Sequence, residues 1–296
     1  GLEFYKNFQV VKNIFKQADE KLNFNISKII LEGPDEQLKL TANTQPAILT
    51  VSYSIFTVLR QEFNFDFSST KYFAGHSLGE YSALVSADAL AFEDAIFLVF
   101  ERGKAMQEAV PVGQGGMLAV LGTSVDTIKN YMEDVKKNGV CEIANDNAEG
   151  QIIISGNIES INSLNQILKE KKIKSIPLKV SAPFHCSLMK PAANIMEEKI
   201  NEIKFVNPSP EIFANVTAMP ENDFENIKKL LVKQIFSTVR WRESVIKMSE
   251  LGIKNYIEIG PGKVLTGMVK RTIKNVNCFS INSITDIKVL LDEFKR

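Results

Sequence analysis

Residues 73 to 84 read Phe-Ala-Gly-His-Ser-Leu-Gly-Glu-Tyr-Ser-Ala-Leu, and how this stretch turns decides the fold. At its centre is Gly75-x-Ser77-x-Gly79, preceded by a short apolar run and followed by residues that favour a helix. That order is the sequence form of a nucleophile elbow, a sharp strand-to-helix turn that lifts a serine oxygen to the rim of a parallel sheet. Gly75 and Gly79 carry no Cβ, so the turn is expected to close tightly and the helix to approach the strand. The first helical turn leaves backbone N–H groups without intrahelical partners, that of Leu78 among them, beside the serine oxygen. Donors so placed stabilise the oxyanion of an acyl-transfer intermediate. The pentapeptide alone arises by chance in many chains. It gains weight here from the strand before it, the helix after it, and His76 and Glu80 set into an apolar stretch.

Upstream of the elbow, Phe8, Val11, Ile14, Phe15 and Ala18 recur with helical period over residues 8–21. Residues 45–59 read as a nearly apolar second helix with Pro46 in its first turn, where a missing N–H costs little. Residues 71–74 form the strand into the elbow, 80–84 the helix out of it, and 92–106 a further amphipathic helix that carries Arg102 near its end. From 117 the pattern changes. Strands are expected at 117–121, 140–144, 152–155 and 173–180, helices at 125–137 and 158–171, and a turn over the polar run Asn145 to Gly150. The order β-α-β-β-α-β within about 65 residues is the split βαβ, or ferredoxin-like, motif. Gly113-Gln114-Gly115-Gly116 and Ala182-Pro183 flank it as hinges. Beyond it, helices at 186–203 and 240–251 and strands at 212–216 and 256–259 resume an α/β alternation, and Gly260-Pro261-Gly262 turns into a helix near Val264. Such alternation argues for a mainly parallel sheet covered by helices. The division expected is therefore an α/β core over 1–115 and 183–296, with a ferredoxin-like subdomain over 116–182.

Among 296 residues, 35 Lys and Arg balance 35 Asp and Glu, which removes any global electrostatic case for nucleic acid or a membrane surface. No apolar run reaches the roughly 18–20 residues that a membrane span needs. The three cysteines, Cys141, Cys186 and Cys278, are scattered and odd in number, which points to a reducing compartment with neither disulfide framework nor zinc cluster. Bacterial-type cytoplasm and a plastid-like organelle both fit.

Only two histidines are present, His76 and His185, so a base for Ser77 is easily sought. A serine hydroxyl needs a base within hydrogen-bond reach. His76 adjoins Ser77 on a tight elbow, where neighbouring side chains diverge. His185 lies in Ala182-Pro183-Phe184-His185-Cys186, where a strand gives way to a helix, and the carboxyl ends of strands are where α/β sites collect. Taken alone it reads more readily as a buried or capping histidine; paired with an elbow serine and almost no competing imidazole it becomes the base, with an ordinary pKa of ~6.5 suited to neutral pH. No acid stands out as a third member: Glu101, Asp126, Glu133, Asp134 and Glu159 all fall on helices. A main-chain carbonyl is the alternative orienting group, with the Gly260–Gly262 turn its expected source. Arg102 reads either as a helix-end or snorkelling cation or as a bidentate clamp on a substrate carboxylate, a pairing worth about 1.5–3 kcal/mol.

Taken in order, these segments resemble the malonyl-CoA:acyl carrier protein transacylases of type II fatty-acid synthesis and the acyltransferase domains of polyketide synthases. The matching stretches are Thr44 to Leu49, Ala74 to Leu84, Arg102 to Gln107, Phe184 to Pro191, Val239-Arg240-Trp241 and Glu258 to Gly267. The resemblance implies an α/β-hydrolase-like core with a ferredoxin-like subdomain. It implies that Ser77 carries the acyl group as an ester, that His185 is base and then acid, that Arg102 binds the malonyl carboxylate, and that the Leu78 N–H is one oxyanion donor. A main-chain carbonyl orients the imidazole in that family, and His76 belongs to the elbow on the substrate-binding side rather than reacting. Phe184 before His185 goes with malonyl selectivity. The implied partners are malonyl-CoA and acyl carrier protein, with no cofactor, since the coenzyme A thioester is itself a substrate, and the implied state is a monomer. Acidic carrier proteins call for a basic rim; Lys172, Lys174, Lys179, Lys190, Lys263, Lys270 and Arg271 are its candidates, although each also reads as an ordinary solvated side chain.

The resemblance has one departure. Relatives begin with a short apolar strand and a Gly-Gln-Gly-Ser-Gln loop whose second residue supplies another oxyanion N–H, whereas this sequence opens at Gly1-Leu2-Glu3-Phe4, similar to the segment just beyond that loop. Gly113 to Gly116 is a different segment. Either that strand and loop lie upstream of Gly1 or this form lacks them; in a form without that donor, turnover is expected to drop by about 10²–10³. Two other readings stay open on the residues: a serine esterase or thioesterase with water as acceptor, and a non-catalytic acyl-CoA or carrier-protein binding module.

Overall fold

In the computed structural model, which describes residues 1–294, helices α1 (Leu2–Asn7), α2 (Gln9–Leu22), α3 (Ile26–Glu32) and α4 (Asp35–Leu38) lead into α5 (Thr41–Gln61). α2 buries Val11, Ile14, Phe15 and Ala18, one stripe at three- and four-residue spacing, and turns Lys16 and Gln17 to solvent. α5 starts at Thr41 rather than Gln45, so Pro46 lies inside the helix and not in its first turn. Strand β1 (Tyr72–Ala74) then passes through the elbow into α6 (Gly79–Ser86), and α7 (Phe92–Glu108) comes after it. Gly103 lets α7 lie against the start of α5, since a Cβ there would fall 2.6 Å from the Ala42 Cα. The neighbouring residue on α7 is Arg102, and the facing end of α5 carries Gln45.

Next in the chain come β2 (Gly115–Leu121), α8 (Val125–Val135), β3 (Cys141–Ala148), β4 (Gln151–Asn157), α9 (Ile158–Glu170) and β5 (Lys174–Pro177). They form an antiparallel four-stranded sheet in the order β3-β4-β2-β5. Leu118, Val120, Ile154, Leu164 and Leu168 bury one face of it under α8 and α9 in an apolar cluster of their own. Its two flanks touch: a Cβ on Gly115 would lie 2.4 Å from the Pro183 ring.

Two expectations fail in this region. β5 ends at Pro177, short of Val180. β3 runs to Ala148, through most of the stretch expected to turn, and leaves the turn itself to Glu149 and Gly150. Tertiary partners override the turn-forming composition. Asp146 N donates to Val239 O at 3.0 Å, Val239 N donates to Ala144 O at 2.9 Å, and Arg242 donates to the Asp146 carboxylate at 2.8 Å. Asn145, Asp146 and Asn147 are buried at this seam with the rest of the chain.

A 3₁₀ turn over Ser187–Met189 precedes α10 (Lys190–Glu202), in place of one helix starting at Cys186. The remaining elements are β6 (Glu211–Ala214), β7 (Met219–Glu221), α11 (Phe224–Gln234), α12 (Trp241–Glu250), β8 (Asn255–Ile259), α13 (Val264–Thr272), β9 (Asn277–Ile281) and α14 (Ile284–Phe294). β1 pairs in parallel with β6, which pairs antiparallel with β7, and β8 pairs in parallel with β9. The strands beside the elbow thus make two short sheets instead of one continuous sheet. Between them lies a cavity of about 860 Å³, lined by Tyr72, Phe73 and Ala74 of β1, Tyr256 and Ile257 of β8, and Phe56 of α5. The architecture is mixed α/β. Among the described residues, no helix is long and apolar enough to cross a membrane.

Candidate active site

Ser77 and His185 both occupy left-handed backbone, with φ of +53° and +59°. For residues with a Cβ that conformation is strained, and it persists only where the surroundings over-determine it. At the elbow the determinant is Gly75, where a Cβ would sit 1.9 Å from the Gly79 carbonyl oxygen. Gly79 differs from expectation: a Cβ there meets nothing within 4 Å, so close approach does not require glycine at that position. Asn215, one residue past β6, pins the turn from beneath. Its Oδ1 accepts from Ser77 N at 2.7 Å, and its Nδ2 donates to Gly75 O at 2.8 Å.

The imidazole of His185 reaches the same oxygen from the loop before α10. Its Nε2 is 2.7 Å from Ser77 Oγ, and its Nδ1 is 2.8 Å from the main-chain carbonyl of Gln234. A carbonyl only accepts, so Nδ1 carries the proton and Nε2 presents a lone pair to the serine hydroxyl. The expected source of the carbonyl is therefore corrected. It comes from the last residue of α11, where helix carbonyls lose their intrahelical partners; Gly260 and Pro261 instead line the cavity between β1 and β8, which the elbow residues Gly75 to Gly79 also line. The ordinary pKa is corrected too. Burial, reinforced by the Arg102 charge, pushes His185 down to about 3 and keeps the ring neutral.

Arg102 is only 1% exposed, which rules out the snorkelling reading. Nη1 donates to Gln45 Oε1 at 2.6 Å, and Nη2 donates to Gln234 Oε1 at 2.8 Å and to Ser77 Oγ at 3.0 Å. Its buried Nε has no hydrogen-bond partner among the described residues. A serine oxygen between a neutral imidazole and a guanidinium is arranged to lose its proton and to form a bond with an electrophile.

A family profile described as an acyl transferase domain matches residues 1–290. The malonyl CoA-acyl carrier protein transacylase of Bacillus subtilis is 39% identical over 297 residues, spanning 100% of this chain and 92% of that protein. The crystal structure of an acyl-carrier-protein-S-malonyltransferase from Bartonella henselae superposes with a TM-score of 0.96 at 38% identity, covering 99% of this chain and 94% of that one. A malonyl-transacylase solved in complex with its type II PKS acyl-carrier protein gives a TM-score of 0.94 at 37% identity, with coverage of 98% and 94%. The chain belongs to the acyl transferase family.

In this acyl transferase the other residues singled out from sequence fall around the elbow and its seam with β3. The Leu78 N–H, at the entry to α6, has no protein acceptor among the described residues. Phe184 is half-buried between apolar clusters on either side of the seam. The His76 ring is turned to β3: its Nε2 is 2.8 Å from Asn147 Oδ1, and its edge meets Trp241 at 5.7 Å. Burial lowers its pKa. A second tie from β3 holds the turn after His185, where Ser187 N and Oγ donate to the Glu142 carboxylate at 2.9 and 2.6 Å. The seven basic candidates are all exposed. Among the described residues, no group of three or more His, Cys, Asp or Glu is placed to hold a metal ion.

Sequence reasoning missed Asn215 and Gln234. Gln234 did leave a trace: Ile227, Leu230, Leu231 and Gln234 share the buried face of α11, and a glutamine on an apolar stripe asks for a buried partner. Asn215 directly succeeds the apolar run Ile212-Phe213-Ala214, the same kind of trace at a strand end.

Proposed function

We propose that this acyl transferase moves malonyl from malonyl-CoA to the phosphopantetheine thiol of acyl carrier protein through a malonyl ester on Ser77, supplying extender units for fatty-acid synthesis. The observation that carries the reading is the meeting of three groups at one atom: Ser77 Oγ lies 2.7 Å from His185 Nε2 and 3.0 Å from Arg102 Nη2. The similarity to malonyl transacylases points the same way.

In the first half-reaction Ser77 Oγ attacks the thioester carbonyl and its proton passes to His185 Nε2, while the Leu78 N–H donates to the oxyanion. Collapse breaks the C–S bond, and the leaving thiolate takes the proton back from Nε2, leaving malonyl on Ser77. In the second half the carrier-protein thiol gives its proton to His185 Nε2 and attacks the ester carbonyl; collapse of the adduct breaks the C–O bond to Ser77, whose Oγ takes that proton back from Nε2. Arg102 takes the malonyl carboxylate in place of the acceptor it now has in Ser77 Oγ. His76 and Phe184 shape the substrate side of the elbow.

The same reading assigns the antiparallel order β3-β4-β2-β5 to a ferredoxin-like subdomain over 116–182, inserted into an α/β-hydrolase-like core over 1–115 and 183–296. It takes the exposed lysines as the docking rim for an acidic carrier protein. It also places a monomeric enzyme, needing no cofactor, in a reducing compartment, cytoplasmic or plastid-like.

Mass spectrometry after mixing with malonyl-CoA tests the proposal. A malonyl adduct on Ser77 that carrier protein discharges is the expected result. No adduct with binding retained would leave a binding module, and steady hydrolysis that carrier protein does not suppress would leave a thioesterase.

A further inference from the structure

Glu80 is 1% exposed, is absent from the chemistry above, and lies under the reactive oxygen. Its Oε2 accepts from Gln234 Nε2 at 2.8 Å and from Asn215 N at 3.1 Å. These two contacts decide which way a side-chain amide faces. Gln234 Nε2 also donates to Ser77 O at 3.0 Å, which leaves Oε1 as the atom that accepts from Arg102 Nη2 at 2.8 Å. The opposite rotation would set Oε1 against the three oxygens that Nε2 now faces, Glu80 Oε2, Ser77 O and Asn215 Oδ1, and would aim an NH₂ group at a guanidinium that can only donate. A buried acceptor facing an acceptor is among the more expensive arrangements available to a fold.

We propose that Glu80 is a positioning residue for acyl-group selectivity: through the amide of Gln234 it aims the Arg102 guanidinium at the substrate carboxylate. The chain of contact is continuous, from Glu80 Oε2 to Gln234 Nε2, across that amide to Oε1, and on to Arg102 Nη2, whose other contact is Ser77 Oγ. Gln45 holds Nη1 from the opposite side at 2.6 Å, so Gln234 is the partner that sets how the guanidinium is turned at Nη2. Glu80 touches no reacting atom.

The inference rests on Arg102 as the carboxylate clamp, and the test separates the two. Single-turnover loading of Ser77 is measured with malonyl-CoA and with acetyl-CoA in the full chain and in R102A, E80D, E80L and E80Q. E80D withdraws the oxygen by one methylene while keeping the carboxyl group, and covers the case in which E80L does not fold. R102A, E80D and E80L are expected to lower the malonyl-to-acetyl ratio by about tenfold or more, the range of a lost charge-assisted contact. E80Q offers Gln234 and Asn215 an oxygen at the same reach and is expected to hold the ratio. A lowered ratio in R102A beside an unchanged ratio in E80D and E80L would overturn the role of Glu80 and leave the clamp standing. Equal loss of both acyl groups in the Glu80 variants would reduce the residue to packing. An unchanged ratio in R102A would remove the clamp and this inference with it.

Discussion

Beneath the four-stranded sheet, Leu118, Val120, Ile154, Leu164 and Leu168 are fully buried and wholly apolar. Around Ser77, Glu80, Arg102, His185, Asn215 and Gln234 are nearly as buried, none more than 5% exposed, and wholly polar. The first region is held by contacts without direction, which tolerate many near-equivalent packings. In the second, directed hydrogen bonds fix the groups: Gln234 and Asn215 each donate and accept through their amides, which gives each amide one permitted rotation. Damage should therefore be read out differently. In the sheet it should appear as lost stability with unchanged chemistry per folded molecule; at the elbow, as lost rate or lost selectivity in a protein that still folds.

The largest expected effect is at the elbow. On the proposed mechanism His185→Ala removes the base for Ser77 and should slow malonyl loading by about 10³-fold, within the usual range for general base catalysis, while the melting temperature stays close to that of the parent. Loading within tenfold of the parent would mean that the 2.7 Å contact between imidazole and serine is structural. In the sheet, Leu118→Ala should lower unfolding free energy by about 2–5 kcal/mol, the transfer and cavity cost of a fully buried leucine. Its loading rate per folded molecule should match the parent in the cold. A proportionate drop in both quantities would break the distinction between the regions. Arg102→Ala comes next, with a loss of about 1.5–3 kcal/mol in malonyl loading, or roughly 10- to 150-fold, and a much smaller loss with acetyl-CoA. Equal losses would turn Arg102 into a plain scaffold.

The same contrast governs how much could be read from the chain. The four-stranded sheet was legible because periodicity reports apolar burial: Leu118 and Val120 alternate, and Ile161, Leu164 and Leu168 step along one helix face. The elbow was legible because Gly75 and Ser77 are neighbours in sequence. The partners of Ser77 were legible only where scarcity or resemblance pointed to them, as with His185 and Arg102. Asn215 and Gln234 lie 138 and 157 residues from Ser77, and their bonds to its main chain are made by tertiary approach alone. Asn145 to Asn147 misled for the converse reason. Their composition favours a turn, but Val239 and Arg242, brought from far along the chain, satisfy them as strand.

The smallest effect to test is a balance between two buried protons. His185 is held neutral down to about pH 3 in the fold, whereas the unfolded chain protonates it near 6.5, so its contribution to stability is complete above 6.5 and is lost as pH falls toward 3. His76, lowered by burial, acts with the same sign. Glu80 does the reverse. Burial raises it from 4.5 to about 7, so its contribution is complete below 4.5 and is lost as pH rises through 7. Between 4.5 and 6.5 the folded state holds one proton more at Glu80 and one fewer at His185, and the two slopes cancel to first order. Each unopposed slope is about 1.4 kcal/mol per pH unit. Urea titrations at pH 5, 5.75 and 6.5 should therefore show E80Q gaining stability with pH relative to the parent, and His185→Gln losing it. Parallel curves for parent and variants would show that these groups carry ordinary pKa values. In the same range malonyl loading by the parent should stay flat to about pH 5, because the imidazole remains a free base. A rate that falls through pH 6.5 would mean that solvent reaches His185 and that the polar region is less closed than the apolar one.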